Sequence, residues 1–235
     1  MNQLAVVSSG TRGIGRAIVL LFLKNGIDVV TGSRKQINID RLLSEAASRK
    51  FPGTLYTFKG DLSGEEGIQA FSAYVKGMQR PVDILVNNTG LFIPGQVHNE
   101  ADGVLEKMME TNLLSAYRLT RAFVGEMKKR RTGHIFNMCS IASITAYPNG
   151  GSYAIAKHAL YGMTKVLRQE LKTDNIRVTA ILPGATLTDS WAGTDLPPER
   201  FVKSEDVASA VWAAYAMSDG AVLEELIIRP QLGDI

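Results

Sequence analysis

Tyr153 and Lys157 stand four positions apart, and Ser140 lies thirteen residues before the tyrosine. On a helix, a spacing of four places both side chains on one face, so the ammonium can act on the phenol oxygen. A phenol holds its proton up to pH ~10, and each unit of downward shift needs about 1.4 kcal/mol of preference for the anion. A fixed positive charge in a dry cleft supplies such a preference. Tyr153 would then be an acid or base usable near neutral pH. Tyr-x-x-x-Lys is common on amphipathic helices, so its weight comes from the elements that carry it.

Those elements can be read in order. Ser140 ends an apolar run, His134 to Cys139, with the character of a buried strand. Pro148-Asn149-Gly150-Gly151 is a turn leading into a helical pattern from Ser152 to about Lys172, which puts Tyr153 and Lys157 on its first turns. At the other end of the chain, Gln3 to Ser8 is a short apolar strand, followed by Ser9-Gly10-Thr11-Arg12-Gly13-Ile14-Gly15 and a helix through Leu23. Strand, glycine loop and helix in that order form a phosphate cradle: glycines admit close backbone approach, and the helix N-terminus offers free N–H groups and a favourable dipole. Further strands are predicted at Ile27 to Ser33, Thr54 to Phe58, Val82 to Val86, Ile176 to Leu182 and Leu223 to Ile228. Helical periodicity runs from Ala101 to about Arg131, with Asn112, a poor helix former, in its middle. Lys128 to Arg131 close that helix as cations complementing the dipole, and Ser204 is read as the cap of a helix to about Met217. Strands alternating with helices throughout imply a parallel sheet covered on both faces.

The second strand ends in Gly32-Ser33-Arg34-Lys35, with no carboxylate before Asp40. An NAD-type site wants an acid there to hold the ribose hydroxyls, whereas a cation suits a 2′-phosphate. Arg12 in the glycine loop supplies a second cation. Asp61 could cap the helix after it. The 235 residues suit one α/β domain over 1–235, and 45% hydrophobic with 21% charged residues is ordinary soluble composition. A net charge of +3 argues for neither nucleic acid nor membrane, and no apolar run approaches a membrane span. One cysteine, Cys139, forms no internal disulfide, so a reducing cytoplasm is the expected location. The histidines show no metal-ligand spacing, and no metal site is expected.

Taken together, Ser140, Tyr153 and Lys157 resemble the catalytic set of the short-chain dehydrogenase/reductase family. The glycine loop resembles that family's Thr-Gly-x-x-x-Gly-x-Gly, with Ser8 at the threonine and Ser9 in place of the first glycine; Gly10 beside it is expected to keep the loop flexible. Asn87-Asn88-Thr89-Gly90 resembles Asn-Asn-Ala-Gly, with Thr89 for alanine. The resemblance implies a single-domain Rossmann-type doubly wound sheet of about seven parallel strands, ordered 3-2-1-4-5-6-7, with helices on both faces.

It also implies a cofactor, NADP(H), held by Ser8, Gly10, Thr11, Arg12, Gly13, Ile14, Gly15 and Arg34. Asp61 and Leu62 would lie at the adenine, with Asn88, Thr89, Gly90, Tyr153 and Lys157 along the groove. Pro183, Gly184, Thr186 and Thr188 would hold the carboxamide. Asn112 would kink its helix and complete a proton relay to Lys157, and Asp189 to Pro198, with Trp191, would form a substrate lid. The implied reaction is hydride transfer between nicotinamide and a small-molecule carbonyl or alcohol. Substrate classes are 3-oxoacyl carriers, pterin-like side-chain ketones and small ketones; the tail from Glu224 to Pro230 with Gly233-Asp234 resembles bacterial sepiapterin-reductase-like members. A dinucleotide-sensing protein without turnover is the alternative. The resemblance further implies a homodimer or homotetramer paired through the helices at 101–131 and 152–172. The second of these carries Ala156, Leu160, Met163, Val166 and Leu167 on more than one face, as a helix with several packing partners would.

Overall fold

The computed structural model describes residues 2–191 and 193–235. Seven strands form one parallel sheet in the order β3-β2-β1-β4-β5-β6-β7: β1 (Leu4–Val7), β2 (Asp28–Ser33), β3 (Leu55–Lys59), β4 (Ile84–Asn87), β5 (Gly133–Met138), β6 (Ile176–Pro183) and β7 (Glu225–Ile228). Helices α1 (Gly13–Lys24), α2 (Gln36–Arg49) and α3 (Glu65–Gly77) follow the first three strands. After β4 come α4 (Val104–Met109) and α5 (Ser115–Arg130), then α6 (Gly151–Leu171) and α7 (Ser204–Tyr215). The doubly wound sheet matches the architecture expected from the sequence. No helix among the described residues is long and apolar enough to cross a membrane.

Side chains on a strand alternate between faces, and both faces of this sheet are covered, so the central strands are apolar without a break. On β1, Ala5 and Val7 join Ile18, Phe22, Ile84, Phe136 and Val211 in one core layer. Leu4 and Val6 join Phe71, Leu85, Leu119, Phe123 and Ile135 in the other. Register pairs Val7 with Thr31 on one side and with Val86 on the other, so the carboxyl ends of β1, β2 and β4 finish level. The loops that leave them therefore share one rim.

The helix expected over 101–131 is interrupted. Glu110–Leu114 is π-helical, between α4 and α5. Asn112 sits in it, wholly buried, and its side-chain N–H donates to the Met108 carbonyl at 3.1 Å, four residues back. A polar side chain that takes over a backbone acceptor is an identifiable cause of such a bulge. The cations that close α5 all have partners: Lys128 with Asp174, Lys129 with Glu126, Arg130 with Asp83, and Arg131 with the Thr173 carbonyl.

Two predicted caps are corrected. Ser204 is the first residue of α7, and its hydroxyl donates to the Leu187 carbonyl at 3.4 Å instead of capping the helix. Asp61 accepts from the backbone and hydroxyl of Ser63, a local turn two residues long, while α3 starts after Gly64. Asx turns compete with capping for the same carboxylate.

Candidate active site

A groove of about 450 Å³ runs along the carboxyl rim of β1, β2 and β4. The glycine loop forms its floor, and the loop is held at close quarters. The Gly10 N–H donates to the Thr31 hydroxyl at 2.9 Å, and a Cβ there would lie 2.8 Å from Val19 Cγ2. A Cβ on Gly15 would fall on the Asn88 amide and 2.9 Å from the Gly10 Cα. Gly13 has a φ of +51°, and Ser9 has a φ of +53°. The left-handed region costs a residue with a Cβ roughly 1–2 kcal/mol. The Ser9 hydroxyl meets the Thr89 hydroxyl at 2.9 Å. Beside them, the Ser8 hydroxyl accepts from the N–H groups of Asn88 and Thr89, and the Asn88 side chain donates to the Ser8 and Ser9 carbonyls. At the far end of the groove, Arg34 lies 3.5 Å from Asp61, and Arg12 pairs with Asp189. All four side chains are more than half exposed.

An adjoining pocket of about 320 Å³ shares Ile14, Asn88, Gly90, Leu91 and Thr188 with the groove. Ser140, Tyr153, Lys157 and Asn112 meet in its wall. Ser140 leaves β5 and opens a single 3-10 turn, where its hydroxyl accepts from the Ala142 N–H at 3.1 Å. It also acts on the Tyr153 phenol, favouring loss of its proton. Phe92 packs edge-on against the Tyr153 ring, with centroids 4.9 Å apart. The Lys157 ammonium lies 5.7 Å from the centroid of that ring and donates to the Met138 carbonyl at 2.8 Å. A Cβ on Gly90 would come 3.6 Å from the ammonium and 3.2 Å from Asn112 Oδ1, so glycine there keeps the passage between groove and pocket open. Asn112 is tied to Leu91 in both directions, donating to its carbonyl at 2.9 Å and accepting from its N–H at 3.1 Å.

The profile of the short chain dehydrogenase family matches residues 3–197. The chain belongs to the short-chain dehydrogenase family. Among its relatives, a 3alpha-hydroxysteroid dehydrogenase of Mediterraneibacter gnavus is 34% identical over 220 residues, 89% of this chain and 88% of that protein. A sepiapterin reductase of Chlorobaculum tepidum is 28% identical, covering 100% and 99%. An alcohol dehydrogenase from the archaeon Thermococcus sibiricus, complexed with 5-hydroxy-NADP, superposes with a TM-score of 0.88 at 26% identity, covering 98% of this chain and 97% of that one. An actinorhodin polyketide ketoreductase with NADPH gives 0.87 at 26% identity, over 100% and 98%. This short-chain dehydrogenase is thus an oxidoreductase whose structural neighbours include proteins holding NADP and NADPH.

The structure brings most of the expected residues to the two cavities. Thr11, Arg12, Gly13, Ile14, Gly15, Arg34, Asp61, Leu62, Asn88, Thr89 and Gly90 line the groove; Pro183, Gly184 and Thr186 line the pocket, and Thr188 lines both. Ser8 and Gly10 do not. Ser8 is buried behind the loop as a brace for Asn88 and Thr89, and Gly10 is buried against Thr31. Gly10 is also not the flexible neighbour expected of it, because the left-handed angle falls on Ser9, which itself lines the groove. Trp191 lines the pocket with its edge toward Phe201, 5.1 Å between centroids; Ala192, inside the expected lid, lies outside the described residues.

The expected lowering of the Tyr153 pKa does not occur in this structure. Burial pushes the phenol up to about 12, with Ser140 acting against it. Lys157 is itself pushed down to about 8 by burial, and its ammonium is committed to the Met138 carbonyl. Cys139, between Met138 and Ser140 in sequence and buried, is pushed up to about 11 and stays a protonated packing group.

Sequence reasoning also missed residues. Asp234 and Ile235 at the C-terminus line the pocket, and Asp234 is held by Arg229 at 2.8 Å. Glu100 accepts from the Ser152 N–H at 2.9 Å and from its hydroxyl, so a carboxylate tops the first turn of the helix that carries Tyr153 and Lys157. Fifty-two residues separate the partners, so no local pattern announces the contact.

Burial of Lys157 gives a pH dependence with a definite sign. The unfolded chain keeps this proton to about 10.5 and the folded chain releases it near 8, so between these values the unfolded state binds more protons and stability rises with pH. Lys157→Met lacks that rise. Urea midpoints of wild type and Lys157→Met at pH 7 and pH 10 should differ by an amount that moves in favour of wild type at the higher pH. A pH-independent difference would show that the amine is solvated in the folded protein.

Proposed function

We propose that this oxidoreductase reduces a ketone or aldehyde of a small molecule with NADPH, with Tyr153 as proton donor. The observation that carries the proposal is the Tyr153 phenol, beside Ser140 and Lys157 in the wall of the pocket that adjoins the glycine-loop groove. The groove's residues fit a dinucleotide: Thr11 to Gly15 would take the pyrophosphate at the start of α1, and Asp61 and Leu62 the adenine. Thr186 and Thr188 would hold the carboxamide. Bound nicotinamide supplies the hydride.

The chain's own residues handle the charge and the proton. Negative charge developing on the substrate oxygen needs a donor already in place, which Ser140 provides. A phenol held up to about 12 is fully protonated at neutral pH and gives its proton to an alkoxide, a stronger base, as that base forms. This supports the reductive direction, because oxidation would start from the phenolate that burial disfavours. Lys157, with Gly90 leaving its ammonium accessible, would hold the nicotinamide ribose, and Asn112 would support the relay of protons to it through Leu91. The pocket's Leu91, Phe92, Ile141, Tyr147 and Trp191 suit an apolar carbonyl compound, in the company of relatives named for hydroxysteroid and sepiapterin chemistry.

We also assign a homodimeric or homotetrameric state. Tyr117 on α5 and Ile155 and Val166 on α6 are large apolar side chains between 42% and 56% exposed, a helix face that a second copy would cover. Sedimentation at micromolar concentration should show a species larger than 25.6 kDa, and a monomer would remove the assignment.

Tyr153→Phe keeps the ring's packing and removes the donor. Turnover with a panel of ketones should fall at least 10²-fold while NADPH binding is kept; retention of a tenth of kcat would contradict the donor role.

Cofactor choice follows from Arg12 and Arg34. Their pairs with Asp189 and Asp61 are exposed and therefore weak, so both guanidiniums can turn to a 2′-phosphate. Charge-assisted bonds of this kind are worth roughly 1.5–3 kcal/mol each. Discounted for exposure, two of them favour NADPH over NADH by about 10²-fold in kcat/KM, a ratio that Arg34→Ala should reduce. Equal use of the two cofactors by wild type would reject the assignment.

A further inference from the structure

Two of the positions where this chain departs from the pattern it resembles are in contact. Ser9 stands for the first glycine of the loop after β1 and Thr89 for the alanine of the loop after β4; eighty residues apart in sequence, their hydroxyl oxygens are 2.9 Å apart in space. Ser9 is also the one loop residue with a side chain that takes a left-handed backbone angle, and both side chains are half-buried in the wall of the cofactor groove. A hydroxyl is one donor and two acceptors. One bond between two hydroxyls uses one proton, so a second O–H remains on the pair at the groove wall.

Resting on the dinucleotide reading above, we infer that Ser9 and Thr89 act as one unit, a hydroxyl clasp that holds the phosphate loop closed against the β4 loop and donates its remaining proton to the ribose-phosphate part of the cofactor. The neighbouring bonds show why a clasp there bears on ligand geometry. Asn88 already ties the backbone of Ser8 and Ser9 to the β4 loop, and Gly15 packs on Asn88, so a shift at Ser9 displaces the start of α1. Neither hydroxyl does this alone: without Thr89 the Ser9 side chain loses its partner, and without Ser9 the Thr89 side chain loses its own. Both are positioning residues, and they touch no reacting atom.

The test is a double-mutant cycle with Ser9→Gly, Thr89→Ala and the double variant, read twice on the full-length protein. The first readout is the Kd for NADPH by fluorescence or calorimetry, and the second is the urea midpoint without added cofactor. Each single variant should weaken NADPH binding roughly three- to tenfold, the worth of one neutral hydrogen bond. The double variant should be no weaker than the weaker single, within about twofold, because the second change removes a bond already lost. Ser9→Gly should keep or raise the urea midpoint, since it relieves the backbone angle, so its loss of binding is not a loss of fold. Thr89→Ser, which keeps the hydroxyl, should bind like wild type, and Thr89→Val, which keeps the shape, should not. Single effects that multiply in the double variant, or singles within twofold of wild type, overturn the clasp while leaving the dinucleotide reading intact. Wild type that binds neither NADPH nor NADH overturns that reading first, and the clasp with it.

Discussion

The site depends on β1 and β4 lying side by side. Strand order reverses between them, so the helices that follow them go to opposite faces of the sheet and leave a crevice at the carboxyl rim. Because Val7 pairs with Val86, the loops after the two strands leave at the same height and can bond directly. Ser8 and Asn88 make that junction, each using its side chain on the other's backbone. The glycine loop, the start of α1 and the groove wall are all placed by it. Glycine at 15 is required here because Asn88 of the junction occupies the space a Cβ would need, and glycine at 10 because Thr31, Val19 and Val7 do.

The pocket is organised by desolvation. Tyr153 is pushed up and Lys157 pushed down by the same burial, so both drift toward their neutral forms. A buried ammonium stays charged at neutral pH only with a good acceptor, and the Met138 carbonyl at the end of β5 is that acceptor. The strand end thus holds the lysine, and the helix turn set by Glu100 and Ser152 holds the tyrosine. Two neighbouring elements, β5 and α6, fix one acid against one cation.

Charge elsewhere is mostly balanced in place. The basic run at the end of α5 reads in the sequence as cations complementing the helix dipole, and each of its four residues also has an acidic or carbonyl partner. The cations of the groove, Arg12 and Arg34, are paired too, with Asp189 and Asp61, and all four of these side chains are more than half exposed.

By itself, the sequence determined the alternation of strand and helix, the glycine loop between β1 and α1, and the placing of Tyr153 and Lys157 on one helix face. These are local properties: side-chain period, glycine spacing and a four-residue repeat are written in neighbouring positions. The sheet order was legible only through family resemblance, since nothing local specifies which strands pair. Tertiary structure alone decided the rest. It put the left-handed angle on Ser9 and gave it Thr89 as a partner, it set Glu100 over the first turn of the helix that carries Tyr153, and it turned Lys157 to Met138. It also reversed the expected direction of the Tyr153 shift, because a spacing of four fixes proximity but says nothing of burial. Contacts between residues nineteen to eighty positions apart, and the water they exclude, exist only once the sheet has closed.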